Sequence, residues 1–213
     1  MKLYLSSFRV GDHAKELQLL AAGKKIGFVP NALDHAEAEA RAASNAKSFG
    51  EVRDLGLDLI SLDLREFFGN TAALRARLAS LGGVWVRGGN AFVLRQAMHL
   101  SGFDHLLMDV AGTDFLYGGY SAGVCVLAPR LDGLHHVDDP TVCPYPGSSV
   151  IWEGLGILDY LVLPHYKSDH PESENIDRDV EYCTKNGIPF RTLRDGEVII
   201  ENFSPPERRL TSA

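Results

Sequence analysis

Short apolar runs of strand length alternate with amphipathic segments through the first half of the chain. The runs cover residues 2–7, 25–30, 57–64, 84–87 and 114–118. Between them lie helical patterns. Leu17, Leu19 and Leu20 mark the first, an Ala/Glu-rich span over 35–49 the second, and 73–81 the third. In the fourth, 92–100, Phe92, Leu94 and Met98 lie roughly on one face. Strands separated by helices in this way need crossover connections, and crossovers produce a mostly parallel sheet covered on both faces. The pattern therefore predicts an α/β protein of three layers, α/β/α. Past residue 121 the rhythm changes. A stretch rich in Gly, Pro, Asp and His over 129–149 reads as a long functional loop, followed by a strand at 158–163, a helix at 172–186 and a closing strand pair, 190–193 with 198–201. Residues 204–213 read as a loose tail, and the whole, 1–213, as a single domain.

Composition narrows the function more than the fold. With 213 residues, 45% hydrophobic and 23% charged, the chain can bury one sizeable core. A net charge of -7 without a basic stripe argues against a nucleic-acid partner. No apolar run approaches the length of a membrane span or a secretory h-region, so neither a membrane partner nor export is expected, and the predicted location is cytoplasmic. Cys125, Cys143 and Cys183 are odd in number and lack CxxC spacing, which fits neither a disulfide framework nor a zinc site. No metal or other cofactor is expected, and a monomer or small homo-oligomer is the anticipated state.

The sharpest chemical signal is Gly119-Tyr120-Ser121-Ala122-Gly123, where an expected strand gives way to an apolar helical run over 122–127. Small residues on both flanks let the chain turn sharply, lifting the serine hydroxyl clear of the sheet and aiming the next backbone N–H at a developing oxyanion. A serine that merely caps a helix is the plainer alternative. A nucleophilic serine needs a base, and eight histidines compete. His13, His35, His99 and His105 fall in or beside the early helices, and His135 and His136 sit in a polar loop where solvation is the default. His165 differs, because it follows Leu161-Val162-Leu163-Pro164 at the end of an expected buried strand, with His170 as fallback. For the acid, Asp195 in the turn Leu193-Arg194-Asp195-Gly196 leads over Glu197 and Asp159. The Gly88-Gly89-Asn90 turn offers approachable N–H groups as a second oxyanion donor. An order of serine, histidine, acid argues against the α/β-hydrolases, which run serine, acid, histidine. Cys125, a helical turn past the serine, argues against a glutaminase.

Four segments together resemble the peptidase E family of aspartyl dipeptidases. They are Phe28-Val29-Pro30, Arg87-Gly88-Gly89-Asn90, Tyr117-Gly118-Gly119-Tyr120-Ser121-Ala122-Gly123 and Leu163-Pro164-His165-Tyr166, in the family's order across nearly the whole chain. The resemblance implies a flavodoxin-like scaffold of the class I glutamine amidotransferase type and hydrolysis of small acidic peptides, typically dipeptides with N-terminal aspartate. It further implies Ser121 as nucleophile, His165 as proton shuttle, an acid near Asp195, and Gly89 and Ala122 as oxyanion donors. Two positions depart from the family pattern: Asp195 stands where glutamate is usual, and Tyr120 replaces a tryptophan. Asn90, Tyr120 and Tyr166 in these motifs are candidate substrate contacts. A cationic partner for an acidic substrate is sought among Arg87, Lys167 and Arg191.

Overall fold

The computed structural model describes residues 1–204. Five strands, β1 (Lys2–Ser6), β2 (Lys25–Val29), β3 (Asp58–Ser61), β4 (Gly83–Val86) and β5 (Leu116–Tyr120), lie parallel in the order β3-β2-β4-β5-β1. Two more, β6 (Leu161–Leu163) and β7 (Phe190–Thr192), form a separate parallel pair, and β8 (Val198–Asn202) borders the main sheet antiparallel to β1. The helices are α1 (Ala14–Ala21), α2 (Ala38–Arg53), α3 (Thr71–Ala79), α4 (Ala91–Ser101), α5 (Phe103–Asp109), α6 (Ala122–Cys125) and α7 (Ser173–Asn186).

Strand side chains alternate between two cores, as the period of two requires. Leu3, Leu5, Val84, Val86 and Tyr117 join the core built with α3, α4, α5 and α6. Tyr4, Ile26, Phe28, Trp85 and Leu116 join the opposite core, with Leu17 of α1 and Val52 of α2. A one-residue slip of any central strand would exchange these sets. Since each large apolar side chain contributes about 1.5–3 kcal/mol when buried, the register is firmly specified.

Parallel strands place their C-terminal ends on one edge, and that edge collects Ser7 and Phe8 after β1, Gly88 and Gly89 after β4, and Ser121 after β5. Around Ser121 the chain passes unusually close to β4. A Cβ on Gly119 would lie 2.6 Å from the Val86 carbonyl oxygen, and one on Gly123 would lie 2.3 Å from it. The Tyr117 hydroxyl donates to the Gly123 carbonyl at 2.6 Å and pins the turn from below.

Two expectations need correction, and one element is new. Segments 190–193 and 198–201 are not partners: β7 extends β6, while β8 crosses to β1, so the Asp195 turn bridges two sheets instead of closing a hairpin. The helix after Ser121 ends at Cys125, and Val126 and Leu127 continue buried in the core beyond it. It supplies less of a macrodipole than a helix over 122–127 would. Helix α5 was not foreseen; its Phe103, Leu106 and Leu107 bury against α4 despite a length too short for periodicity to reveal. From residue 205 on, the expected tail lies outside the described residues. Among those described, no helix is long and apolar enough to cross a membrane.

The close approach at Gly123 makes a direct prediction. Gly123→Ala drives a methyl group into a backbone carbonyl that cannot rotate away, and should destabilise the protein by about 1–3 kcal/mol in urea unfolding. An unchanged midpoint would mean that the turn has room the packing denies.

Candidate active site

Ser121 adopts φ 49° and ψ -121°, a conformation costly for any residue with a side chain. The strain falls on the serine because its neighbours, Gly119 and Gly123, are held against β4. Ser121 is therefore carried out of the sheet at the strand end and lines a cavity of about 230 Å³ shared with His165 and Tyr120. Among the described residues its hydroxyl makes no hydrogen bond, and neither do the backbone N–H groups of Gly89 and Ala122. Gly88 explains its own identity: a Cβ there would lie 2.9 Å from that of Ser121.

His165 also has a left-handed backbone, φ 61°, and is only 1% exposed. Its Nδ1–H donates to Asp195 Oδ1 at 2.7 Å, leaving Nε2 as the lone-pair nitrogen. Both partners are held from β1: the Ser7 hydroxyl accepts the His165 backbone N–H at 2.9 Å and donates to Asp195 at 3.0 Å. The Asp195 backbone N–H donates to the Ser168 hydroxyl at 2.8 Å. These contacts let the shorter aspartate reach the ring. Glu197 instead accepts the Arg194 N–H at 2.7 Å, and Asp159 opens onto a different cavity, of about 400 Å³, beside Tyr182. Burial pushes the His165 pKa below its ordinary 6.5, and neighbouring His170 lowers it further while Asp195 opposes. His170, the fallback base, stacks on His165 with centroids 3.7 Å apart and planes 9° from parallel. Cys125 is buried beneath the turn, its thiol on the Val162 carbonyl at 3.4 Å and its pKa raised by burial, so it has no nucleophilic character.

The substrate candidates divide. Tyr120 and Arg87 line the cavity, Tyr120 through a 2.6 Å hydroxyl contact with Ser48, and Arg87 with its guanidinium on Asn45 at 2.5 Å and on the Gly88 carbonyl at 2.9 Å. Asn90 does not. Its Oδ1 caps α4 by accepting from Phe92 and Val93 N–H, and its amide donates to the Asp139 carbonyl, so every polar atom is engaged in structure. Tyr166 and Lys167 also lie off the cavity, Lys167 folding back over the Tyr166 ring at 5.0 Å. Arg191 lies over Tyr160 on β7.

Sequence reasoning missed Phe8, Arg9, Lys47 and Glu172, which complete the cavity wall. Phe8 sets its ring edgewise to His165, His170 and Tyr120. Arg9 is paired with Glu51 at 2.8 Å, whereas Lys47 has no ion pair among the described residues. The Glu172 carboxylate lies 3.8 Å from His165 Nε2, and burial raises its pKa. The readable signal for Phe8 and Arg9 was position, since they follow β1 at the edge shared with Ser121. The histidines also group more closely than their spacing suggests. His165, His170 and Glu172 form one trio of donor atoms within 4.8 Å, and His135, His136 and Asp179 form another.

Residues 8–202 match the profile of peptidase family S51. The chain is 31% identical over 183 residues to peptidase E of Streptomyces coelicolor, covering 83% of this chain and 68% of that protein. It is 27% identical over 190 residues to an uncharacterized peptidase of Listeria monocytogenes, covering 85% of this chain and 88% of the relative. A crystal structure of a Listeria monocytogenes EGD-e protein named after peptidase E aligns with a TM-score of 0.70 at 24% identity, over 95% of this chain and 98% of its own. A peptidase from an acI-B1 Actinobacterium aligns with a TM-score of 0.65 at 15% identity, over 95% and 83%. The two structures share its three-layer α/β architecture, and the match along nearly the whole sequence places the chain in peptidase family S51.

Proposed function

We propose that this protein is a serine peptidase in which Ser121, His165 and Asp195 act as a triad on small acidic peptides, aspartyl dipeptides foremost. The observation that carries the reading is that Ser121 and His165 open into one cavity while Asp195 holds the far nitrogen of the ring at 2.7 Å. Ser121 Oγ attacks the scissile carbonyl as His165 Nε2 takes its proton, giving a tetrahedral oxyanion and an imidazolium stabilised by Asp195. The unpaired N–H groups of Gly89 and Ala122 supply the oxyanion donors. The C–N bond then breaks as the imidazolium protonates the leaving amine, and water, deprotonated by the same ring, releases the acyl group from Ser121. Helix α6 is too short to add much electrostatic help, so the two N–H groups carry that duty.

The cavity's cations support an acidic substrate side chain. Arg9 is paired with Glu51 and the Arg87 guanidinium is already hydrogen-bonded to the neutral Asn45 and Gly88, which leaves Lys47 as the cavity cation free to turn to a ligand.

Three measurements test the reading. Steady-state hydrolysis of aspartyl p-nitroanilide and Asp-containing dipeptides should be abolished by Ser121→Ala, and Asp195→Asn should lower kcat by about 10³–10⁴-fold; an active Ser121→Ala enzyme would refute the mechanism. The base must be neutral to accept a proton. Because burial holds the His165 pKa below 6.5, kcat/KM should rise with pH through a midpoint below 6.5 and stay level above it. A midpoint above that value would contradict the desolvated imidazole. Lys47→Ala should raise KM about tenfold for an N-terminal aspartyl substrate and leave its asparaginyl counterpart nearly unchanged. Equal losses on both would remove Lys47 from specificity.

A further inference from the structure

Away from the cavity, the loop over 129–149 meets helix α7 at a group the proposed chemistry does not use. Asp179 projects from α7 and is fully buried, 0% exposed, yet it has no Lys or Arg partner among the described residues. Its Oδ1 accepts from the His136 ring at 2.6 Å and from the His136 backbone N–H at 3.3 Å, and its Oδ2 has no hydrogen bond. Burial raises its pKa, as it must for a carboxylate with so little compensation. Beside it His135 lies with its ring 4.2 Å from that of His136.

The hydrogen bonds fix which nitrogens are free. His135 Nδ1 is bonded to the Asp132 carbonyl, an acceptor only, so Nδ1 bears the proton and Nε2 the lone pair. His136 Nδ1–H points to Asp179, which leaves its Nε2 in the same condition. An Nδ1–H tied to a carbonyl or a carboxylate is the support that metal-binding histidines use to present Nε2. The His136 side chain is 34% exposed, so a path from solvent exists. Helix α7 adds Glu174, Asp177 and Glu181, with only Arg178 and Lys185 against them, which raises the local cation concentration. The other trio is less suitable. His165 and His170 lie in parallel planes 3.7 Å apart, so their in-plane lone pairs do not converge on one ion.

We propose that His135 and His136, backed by Asp179, bind a divalent cation of the zinc class and thereby tie the 129–149 loop to α7. Two imidazole nitrogens, one of them with a carboxylate on its far side, suit zinc better than calcium or magnesium, which prefer all-oxygen shells. Solvent completes the coordination. The consequence reaches the active-site edge. Asp138, two residues on, accepts the Ala91 N–H at 2.8 Å, and the Asp139 carbonyl accepts from Asn90 at 3.1 Å. Anchoring this loop therefore steadies the start of α4 behind Gly88 and Gly89.

The full chain, freed of metal by chelation and carrying Cys143→Ser so that the exposed thiol takes no metal, should be titrated with zinc chloride by calorimetry and by thermal unfolding. One site per chain is expected, with Tm raised by about 5 °C or more near 100 times Kd. His135→Ala should weaken binding by about tenfold or more while leaving the metal-free Tm nearly unchanged, with His135→Gln as the check should the alanine variant fold poorly. Glu172→Gln should bind zinc as well as the parent. Absence of binding at about 100 µM free zinc, or binding that survives both His135 substitutions, would overturn the proposal. So would binding that Glu172→Gln abolishes, since the ion would then sit at the other trio.

Discussion

The site depends on one backbone contact, the close approach of the chain around Ser121 to the Val86 carbonyl of the neighbouring strand. Gly119 and Gly123 exist to permit that approach, and neither takes up the unusual backbone angle itself. The angle is forced onto Ser121, which stands at φ 49°. A serine in the ordinary β or α region would aim its hydroxyl in another direction. The strained one stands at the strand end, with the N–H groups of Ala122 and Gly89 unpaired nearby. Such strain costs about 1–3 kcal/mol and persists because two buried cores, one on each face of the sheet, hold the strands in register.

The imidazole reaches the same cavity by a different route. Strands β6 and β7 form a small sheet of their own, and His165 and Asp195 follow their respective C-terminal ends. Ser7, at the end of β1, bonds to both residues and so stitches the small sheet to the large one. The imidazole is thus desolvated yet oriented, a combination that lowers its pKa without freeing its tautomer. The short Asp195 side chain reaches the ring because Ser7 and Ser168 bring its turn close enough.

Much of this was legible in the residues. Five strands, the intervening helices α1 to α4, the serine turn and the histidine after a buried strand all follow from local pattern and chemistry. What stayed hidden depends on long-range docking. Segments 190–192 and 198–202 look like a hairpin, but nothing local says that one prefers β6 and the other β1. Asn90 reads as a substrate contact in its motif, yet its side chain is consumed in capping α4. Lys47 lies on a helix where most lysines are merely solvated, and only the packing of α2 over the strand ends brings it to the cavity. His136 looks like a loop histidine until α7 places a buried carboxylate against it from 43 residues away.

The proposed nucleophile is the strained serine, activated by an imidazole it meets only in the folded chain. Treating the native protein with a fluorophosphonate and mapping the adduct by peptide mass spectrometry tests this most directly. A single phosphonylated site at Ser121 is expected, with labelling strongly slowed in His165→Ala. An enzyme that hydrolyses peptides while Ser121 remains unmodified, or an adduct on another residue, would contradict it.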